Sequence, residues 1–263
     1  MSNVLRVERS GAVVRVTLAR PEVRNAFNAE LIAALRDAFQ RLSVEVPGTL
    51  RAVVLAGDGK AFCAGADIEW QRAAIALSLE ENEADAGRLQ EMLLTVDECP
   101  VPVIAAVHGA ALGGGMALCC VADITLATAD ATFGFTETKL GLMPAVISPF
   151  VLPRIGEGAA RALFVTGERF GSERAQRIGL VSEVVADEAA LHARVDAVVE
   201  EVLASGPEAT RNAKAVIREQ RGLTRGDALA LTVQRAARQR VSAEGQEGLG
   251  AFLEKRPPSW RRE

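Results

Sequence analysis

Two glycine-bearing turns and one carboxylate stand out in this sequence as groups able to do chemistry. The turns are Cys63-Ala64-Gly65-Ala66-Asp67 and Leu112-Gly113-Gly114-Gly115, each following an apolar run. Glycine lets a backbone approach a ligand closely. The second turn also starts a helix, whose free N–H groups and positive dipole end favour an anion. The same glycines would equally serve tight helix–strand packing. The carboxylate is Glu137, in Phe133-Gly134-Phe135-Thr136-Glu137-Thr138-Lys139-Leu140-Gly141, between an apolar strand and a glycine-bearing stretch. Held there, a carboxyl group gains a raised pKa and can act as acid or base; the alternative is a surface ion pair with Lys139. Few other catalysts are on offer. Tyrosine is absent, and the histidines are His108 and His192 alone, which excludes a multi-histidine metal site.

Elements that alternate along the first half must position these groups. Leu5–Glu8 and Val13–Leu18 read as strands around a turn at Ser10-Gly11. Asn28–Leu42 reads as an amphipathic helix with Asn28 as its N-cap, because Leu31, Ala34, Leu35, Ala38, Phe39 and Leu42 recur at helical spacing. Arg51–Ala56, Val103–Val107, Ile124–Thr128 and Thr132–Phe135 are short apolar strands. A polar helix is expected over Leu79–Val96, and the glycine triplet opens another at Met116–Ala122. Strands separated by helices at this spacing indicate parallel β-α-β units. After Pro149 the pattern is helical over Gly158–Thr166, Ser172–Ile178, Glu188–Ala204, Pro207–Arg218 and Asp227–Glu244, with Val181–Ala186 a lone strand. No repeat, low-complexity tract or linker interrupts the chain.

Composition bounds the rest. With 263 residues, 49% hydrophobic and 24% charged, the chain holds one large domain or one domain with an appendage. Aromatics make up 4%, too few for base-stacking platforms, and 30 Lys+Arg against 34 Asp+Glu leave no basic footprint for nucleic acid. Cys63, Cys99, Cys119 and Cys120 form no CxxC pair and read as reduced, buried thiols of a cytoplasmic protein. The opening MSNVLRVERSG lacks the apolar core of a signal peptide. Val101–Ala122 has no formally charged residue and is long enough to span a bilayer. Pro102, His108 and the glycine triplet interrupt it, so a buried strand–turn–helix is expected instead.

Together these pieces resemble the crotonase family, the enoyl-CoA hydratase/isomerase superfamily. The matching stretches are Arg20-Pro21-Glu22-Val23-Arg24-Asn25-Ala26-Phe27, Lys60–Ile68, His108–Gly115, Ala122-Asp123-Ile124, Phe133-Gly134 and Phe252-Leu253-Glu254-Lys255-Arg256-Pro257. The resemblance runs from Val4 to Arg256. It implies an α/β fold with a ClpP-like β-β-α spiral core over residues 1–200. It also implies a C-terminal helical region over residues 201–263, assembly as homotrimers or homohexamers, and no membrane partner. The substrate implied is an acyl-coenzyme A thioester, so coenzyme A belongs to the substrate and no resident cofactor or metal is expected. By position, the N–H groups of Ala64 and Gly114 would form the oxyanion hole, stabilising the enolate-like anion of the thioester. Arg24 matches a basic position near the CoA phosphates. Ala66, Asp67 and Ile68 match the strip beside the adenine, and Phe252 and Lys255 match C-terminal residues that reach CoA, in many members from a neighbouring subunit.

The sequence also departs from the pattern. Hydratases of the family typically use two glutamates, and the first position is Ala117 here, leaving Glu137 alone. One carboxylate suffices for the proton shuttle of Δ3,Δ2-enoyl-CoA isomerases, whose mitochondrial type keeps only the later glutamate. Yet Gly141–Phe150 resembles a bacterial subgroup assigned to branched, glutaconyl-type CoA hydration. Hydration is therefore the leading expectation, with isomerisation second and a non-catalytic CoA-thioester-binding homologue third. In the proposed hydration, either Glu137 does both proton transfers or a substrate carboxylate assists. His108 and His192 are expected to be structural and surface residues, and the Cys63 side chain to point away from the hole. Trp70 and Glu69 are further candidates for the acyl pocket, and Glu80, Glu81 and Glu83 are expected on a solvated face.

Overall fold

The computed structural model describes residues 4–45 and 47–261. Its strands, in chain order, are β1 (Leu5–Ser10), β2 (Val13–Leu18), β3 (Ala52–Gly57), β4 (Val103–Val107), β5 (Ala110–Leu112), β6 (Ile124–Thr128), β7 (Thr132–Gly134), β8 (Arg169–Gly171) and β9 (Glu183–Val185). β1 and β2 form an antiparallel hairpin with Leu5 opposite Leu18, and from β2 onward the larger sheet is parallel, in the order β1-β2-β3-β4-β6-β9. A smaller sheet, β5-β7-β8, stands beside it and is joined to the 63–67 turn by a Cys63–Ala111 bridge.

The near-continuous apolar runs of the central strands follow from burial on both faces. On one face Ala52, Val54, Ile104, Ala106 and Leu126 pack against Leu191, Val195, Val198 and Val199 of a long helix, α7 (Glu188–Ala204). On the other, Val53, Leu55, Val103, Ala105 and Val107 belong to the main core. The helices over that core are α1 (Ala29–Ser43), α3 (Leu79–Asp97), α4 (Gly114–Val121) and α5 (Ser148–Thr166), with the short α2 (Ile68–Ala74) ahead of α3. The N-cap expected at Asn28 is present, its Oδ1 accepting from the Leu31 N–H at 2.9 Å. Loss of such a cap costs about 1 kcal/mol. α3 opens with a reciprocal capping box between Ser78 and Glu81.

Some elements escaped the sequence patterns and others were cut differently. α2, β5 and β8 were not anticipated. α5 begins ten residues before the expected Gly158, because Gly156 (φ 74°) breaks one helix into two segments and hides the first. The last expected helix is two, α9 (Arg225–Val241) and α10 (Ala243–Glu254), divided at Ser242, whose extended backbone (φ −65°, ψ 158°) and hydroxyl cap α10. The remaining helices are α6 (Ser172–Arg177), α7 (Glu188–Ala204) and α8 (Pro207–Glu219).

The uncharged 101–122 segment is β4, β5 and α4, a buried strand–turn–helix as expected. Among the described residues no helix is long and apolar enough to cross a membrane. α8, α9 and α10 pack on one another. They are tied to the core by Lys214, which donates to Asp123 Oδ2 at 2.7 Å and to the Val101 carbonyl at 3.2 Å.

Candidate active site

The two glycine turns meet where β3, β4 and the smaller sheet end, and local hydrogen bonding decides which of their N–H groups stay free. Arg24 and Asn25 both adopt left-handed backbone, φ 54° and 56°. Asn25 is fully buried, and its side chain holds this strained turn. Its Oδ1 accepts from the Arg20 N–H (2.9 Å), and its Nδ2 donates to the Asp58 and Ala61 carbonyls (2.9 and 2.8 Å). The turn aims the Arg24 carbonyl at the next segment, where it accepts from the Ala64 N–H at 2.9 Å.

That bond corrects the expected role of Ala64: its N–H is already taken by the protein. The Asp67 N–H is taken too, donating to the Phe27 carbonyl at 2.9 Å. The Ala66 N–H has no acceptor among the described residues, and Ala66 lines the cavity described below. The free donor of this turn is therefore Ala66.

In the second turn, Gly113 (φ 48°) donates to the Gly134 carbonyl at 3.0 Å, and the first bond inside α4 is from Ala117 N–H to Gly113 O. The Gly114 N–H therefore lacks an acceptor among the described residues, at the positive end of α4, as expected of a first-turn donor. Gly114 also packs tightly: a Cβ there would lie 2.6 Å from Phe27 Cδ2. Packing and exposed donor coexist at this glycine, so the two readings of the turn are both satisfied.

Glu137 opens a single 3-10 turn, Glu137–Leu140, just after β7. Its Oε1 is 3.3 Å from where a Cβ on Gly113 would sit, which places the carboxyl against the second turn. Oε2 is buried without a hydrogen-bond partner. Among the described residues Glu137 forms no ion pair with Lys139. Burial pushes its pKa up, only partly opposed by its own backbone N–H. A carboxyl group with a raised pKa and a free oxygen is suited to exchanging protons with a substrate.

Glu137, Ala66, Gly113 and Gly114 share one cavity of about 310 Å³. Trp70, Gln71 and Ala74 of α2, with Asp85 and Leu89 of α3, form one wall, and residues 140 and 142–147 form another. Trp70 thus lines the cavity, whereas Glu69 is ion-paired with Arg72 on the surface. Asp85 and Gln71 were missed by sequence reasoning. The available signal was helical spacing: Asp85 precedes Leu89 by four residues and shares its face. A far larger cavity, of about 900 Å³, lies at the opposite end of the sheet by Arg51 and Trp260, remote from these groups.

The other expected positions divide. Arg24 is exposed and has no carboxylate partner among the described residues. Asp67 is committed: its carboxylate, 9% exposed, pairs with Arg20 at 2.8 Å and caps α2 through the Glu69 N–H, and its backbone N–H and carbonyl are already bonded to Phe27 and Gln71. Ile68 is exposed. Phe252 and Lys255, at the end of α10, are exposed and line no part of this cavity in the single chain. Ala117 is buried in α4 and also lines no part of it. His108 is buried with Nε2 2.8 Å from the Gly59 carbonyl, a structural role, and His192 is exposed on α7. Cys63 is buried, its thiol pushed up to about 12.

Comparison with known proteins identifies the family. Residues 8–263 match the enoyl-CoA hydratase/isomerase family. A relative from Thermus thermophilus, whose name places it among the enoyl-CoA hydratases, is 35% identical over 255 residues, covering 97% of this chain and 99% of the relative. Among solved structures, Pseudomonas aeruginosa AtuE superposes with a TM-score of 0.94 at 37% identity, over 98% of this chain and 100% of its own. A crotonase-type enoyl-CoA hydratase/isomerase from Legionella pneumophila gives 0.92 at 36% identity, over 98% and 99%. The free main-chain donors, the buried glutamate and a spiral α/β core with C-terminal helices thus occur in a chain that belongs to the enoyl-CoA hydratase/isomerase family.

Proposed function

We propose that this protein hydrates an α,β-unsaturated acyl-CoA thioester. The observation that carries the proposal is the grouping of Glu137, unpartnered at Oε2, with the unaccepted N–H groups of Ala66 and Gly114 around one cavity. The thioester oxygen lies between the two N–H groups, which stabilise the charge that develops there; one such donor is worth about 3–4 kcal/mol in a transition state. Water bonds through oxygen to the β-carbon and gives its proton to the Glu137 carboxylate. The double-bond electrons move onto the α-carbon and thioester, and Glu137 returns a proton to the α-carbon. One carboxyl group does both transfers, because Ala117 has none to offer. Coenzyme A arrives with the substrate, so no resident cofactor is involved. Arg24 and Ile68 are exposed positions on which the CoA moiety would rest.

A second reading, isomerisation of 3-enoyl to 2-enoyl thioesters, is favoured by one observation, the alanine at 117. There Glu137 removes a proton from C2 and returns it to C4. One purified sample separates the two. Loss of conjugated-enoyl absorbance from crotonyl-CoA is the expected result for a hydratase. A rise in that absorbance from 3-hexenoyl-CoA, with crotonyl-CoA untouched, overturns hydration in favour of isomerisation. We also propose assembly into trimers or hexamers through the C-terminal helices, on which Ile217, Leu229, Val233, Val241, Phe252 and Leu253 are uncovered. Such assembly would bring a neighbour's Phe252 and Lys255 toward the CoA path. Sedimentation of the purified chain as a monomer overturns that part.

A further inference from the structure

The cavity that holds Glu137 carries a second carboxylate and no cation. Its lining includes Asp85 but no Lys, Arg or His. Asp85 stands on α3 with its side chain only 14% exposed. Oδ1 accepts from Arg88 Nη2 at 2.7 Å, while Oδ2 has no hydrogen-bond partner among the described residues. Arg88 is half-exposed and not part of the lining, so it holds Asp85 from outside the cavity. Asp85 thus brings to the lining a carboxylate with one oxygen unpaired. Around it the wall is apolar, with Trp70, Ala74, Leu89, Leu142 and Val146. The one other polar side chain on the helical side, Gln71, is neutral.

A negative group in a partly dry, apolar wall discriminates between acyl chains by charge. A chain ending in a carboxylate would enter a space that already holds Asp85 and Glu137 and offers no positive partner, and like charges close together in low dielectric repel strongly. A methyl-ended chain meets only the apolar wall. A chain carrying a hydroxyl or amide N–H finds an acceptor in Oδ2. We propose that Asp85 sets acyl specificity, excluding ω-carboxylated chains and favouring uncharged chains, above all those with a hydrogen-bond donor. The proposal rests on the CoA-thioester function above and narrows it. It sets aside the glutaconyl-type substrate that the 141–150 segment suggested, because that substrate brings a carboxylate to this wall.

Titration calorimetry with saturated thioesters, which cannot react, tests this without relying on turnover. Three ligands of equal length serve: hexanoyl-CoA, 6-hydroxyhexanoyl-CoA and 5-carboxypentanoyl-CoA, with the four- and eight-carbon series alongside. In the wild type the carboxylated ligand is expected to bind at least about tenfold more weakly than its methyl counterpart, and the hydroxylated ligand more tightly. Asp85→Asn should close the carboxylate gap to within about threefold, and Arg88→Gln, which leaves Asp85 uncompensated, should widen it. An equal gap in wild type and Asp85→Asn at every length, or a wild-type preference for the carboxylated ligand, overturns the proposal while leaving the thioester function standing. Binding of none of the CoA ligands overturns both.

Discussion

The cavity has a floor and a roof made on different principles. The floor is main chain: the turns at 64–67 and 113–114, fixed by buried Asn25, by the Arg24 carbonyl and by the packing of Phe27 on Gly114. The roof is side chains: Trp70 and Gln71 on the short α2, Asp85 on α3, and the irregular 140–147 stretch, where Leu142 is 55% and Met143 75% exposed. Groups that must meet developing charge sit on backbone that cannot rotate away. Groups that meet the variable part of the substrate sit on side chains that can be exchanged without disturbing the sheet.

Substitutions can break or sharpen this division. The largest effect is expected from Glu137→Gln, which should lower kcat by about 10²–10⁴-fold while leaving hexanoyl-CoA affinity nearly unchanged. Wild-type turnover in that variant would remove Glu137 from the chemistry. Next is Gly114→Ala on the floor. Its methyl group meets the Phe27 ring at 2.6 Å. Unfolding and kinetic assays should show about 1–3 kcal/mol of lost stability together with about a 10²-fold loss of kcat as the donor is displaced. If the variant loses stability but keeps its kcat, Gly114 is a packing residue only.

The pH response should be of intermediate size and confined to Glu137. Because burial raises its pKa above the ordinary 4.5, kcat/KM should fall as pH drops through the raised value, where the base becomes protonated. Stability runs the other way. The folded state binds this proton more tightly than the unfolded chain does, so the stabilising contribution is complete below the ordinary value and is lost as pH rises through the raised one. Glu137→Gln should therefore melt higher than wild type at neutral pH, and an unchanged or lower Tm would contradict the buried, unpartnered carboxyl. The smallest effect is expected on the roof. Leu142→Ala should raise KM for longer chains by about 3–10-fold with kcat intact and stability within about 0.5 kcal/mol.

The same division explains what the sequence revealed. Strands β2, β4 and β6 and helix α7 have the anticipated boundaries, because burial on both sheet faces leaves long apolar runs that nothing else would produce. β5 and β8 are three residues each, too short to show a period, and their existence depends on pairing with β7. Glu137 was legible because a carboxylate beside an apolar strand is out of place. The choice between Ala64 and Ala66 was not, since it turns on where the Arg24 carbonyl points, and that depends on two consecutive left-handed residues held by Asn25. Asp85 was hidden in plain composition. In a helix rich in Glu it reads as one more solvated acid, and only the arrival of α2 and the 140–147 segment gives that face a cavity.

The cysteines carry a consequence for how this molecule can be watched. Cys63, Cys99, Cys119 and Cys120 are all buried, three of them in or behind the glycine turns, and burial raises the pKa of each, to about 12 for Cys63 and Cys120. Thiolate, the form that reacts with alkylating reagents, is thus scarce in the native state and abundant once the chain opens. The floor of the cavity therefore comes with its own clock. The order in which the four thiols become labelled in mild denaturant would report which layer loosens first, with Cys63 timing the donor turn itself.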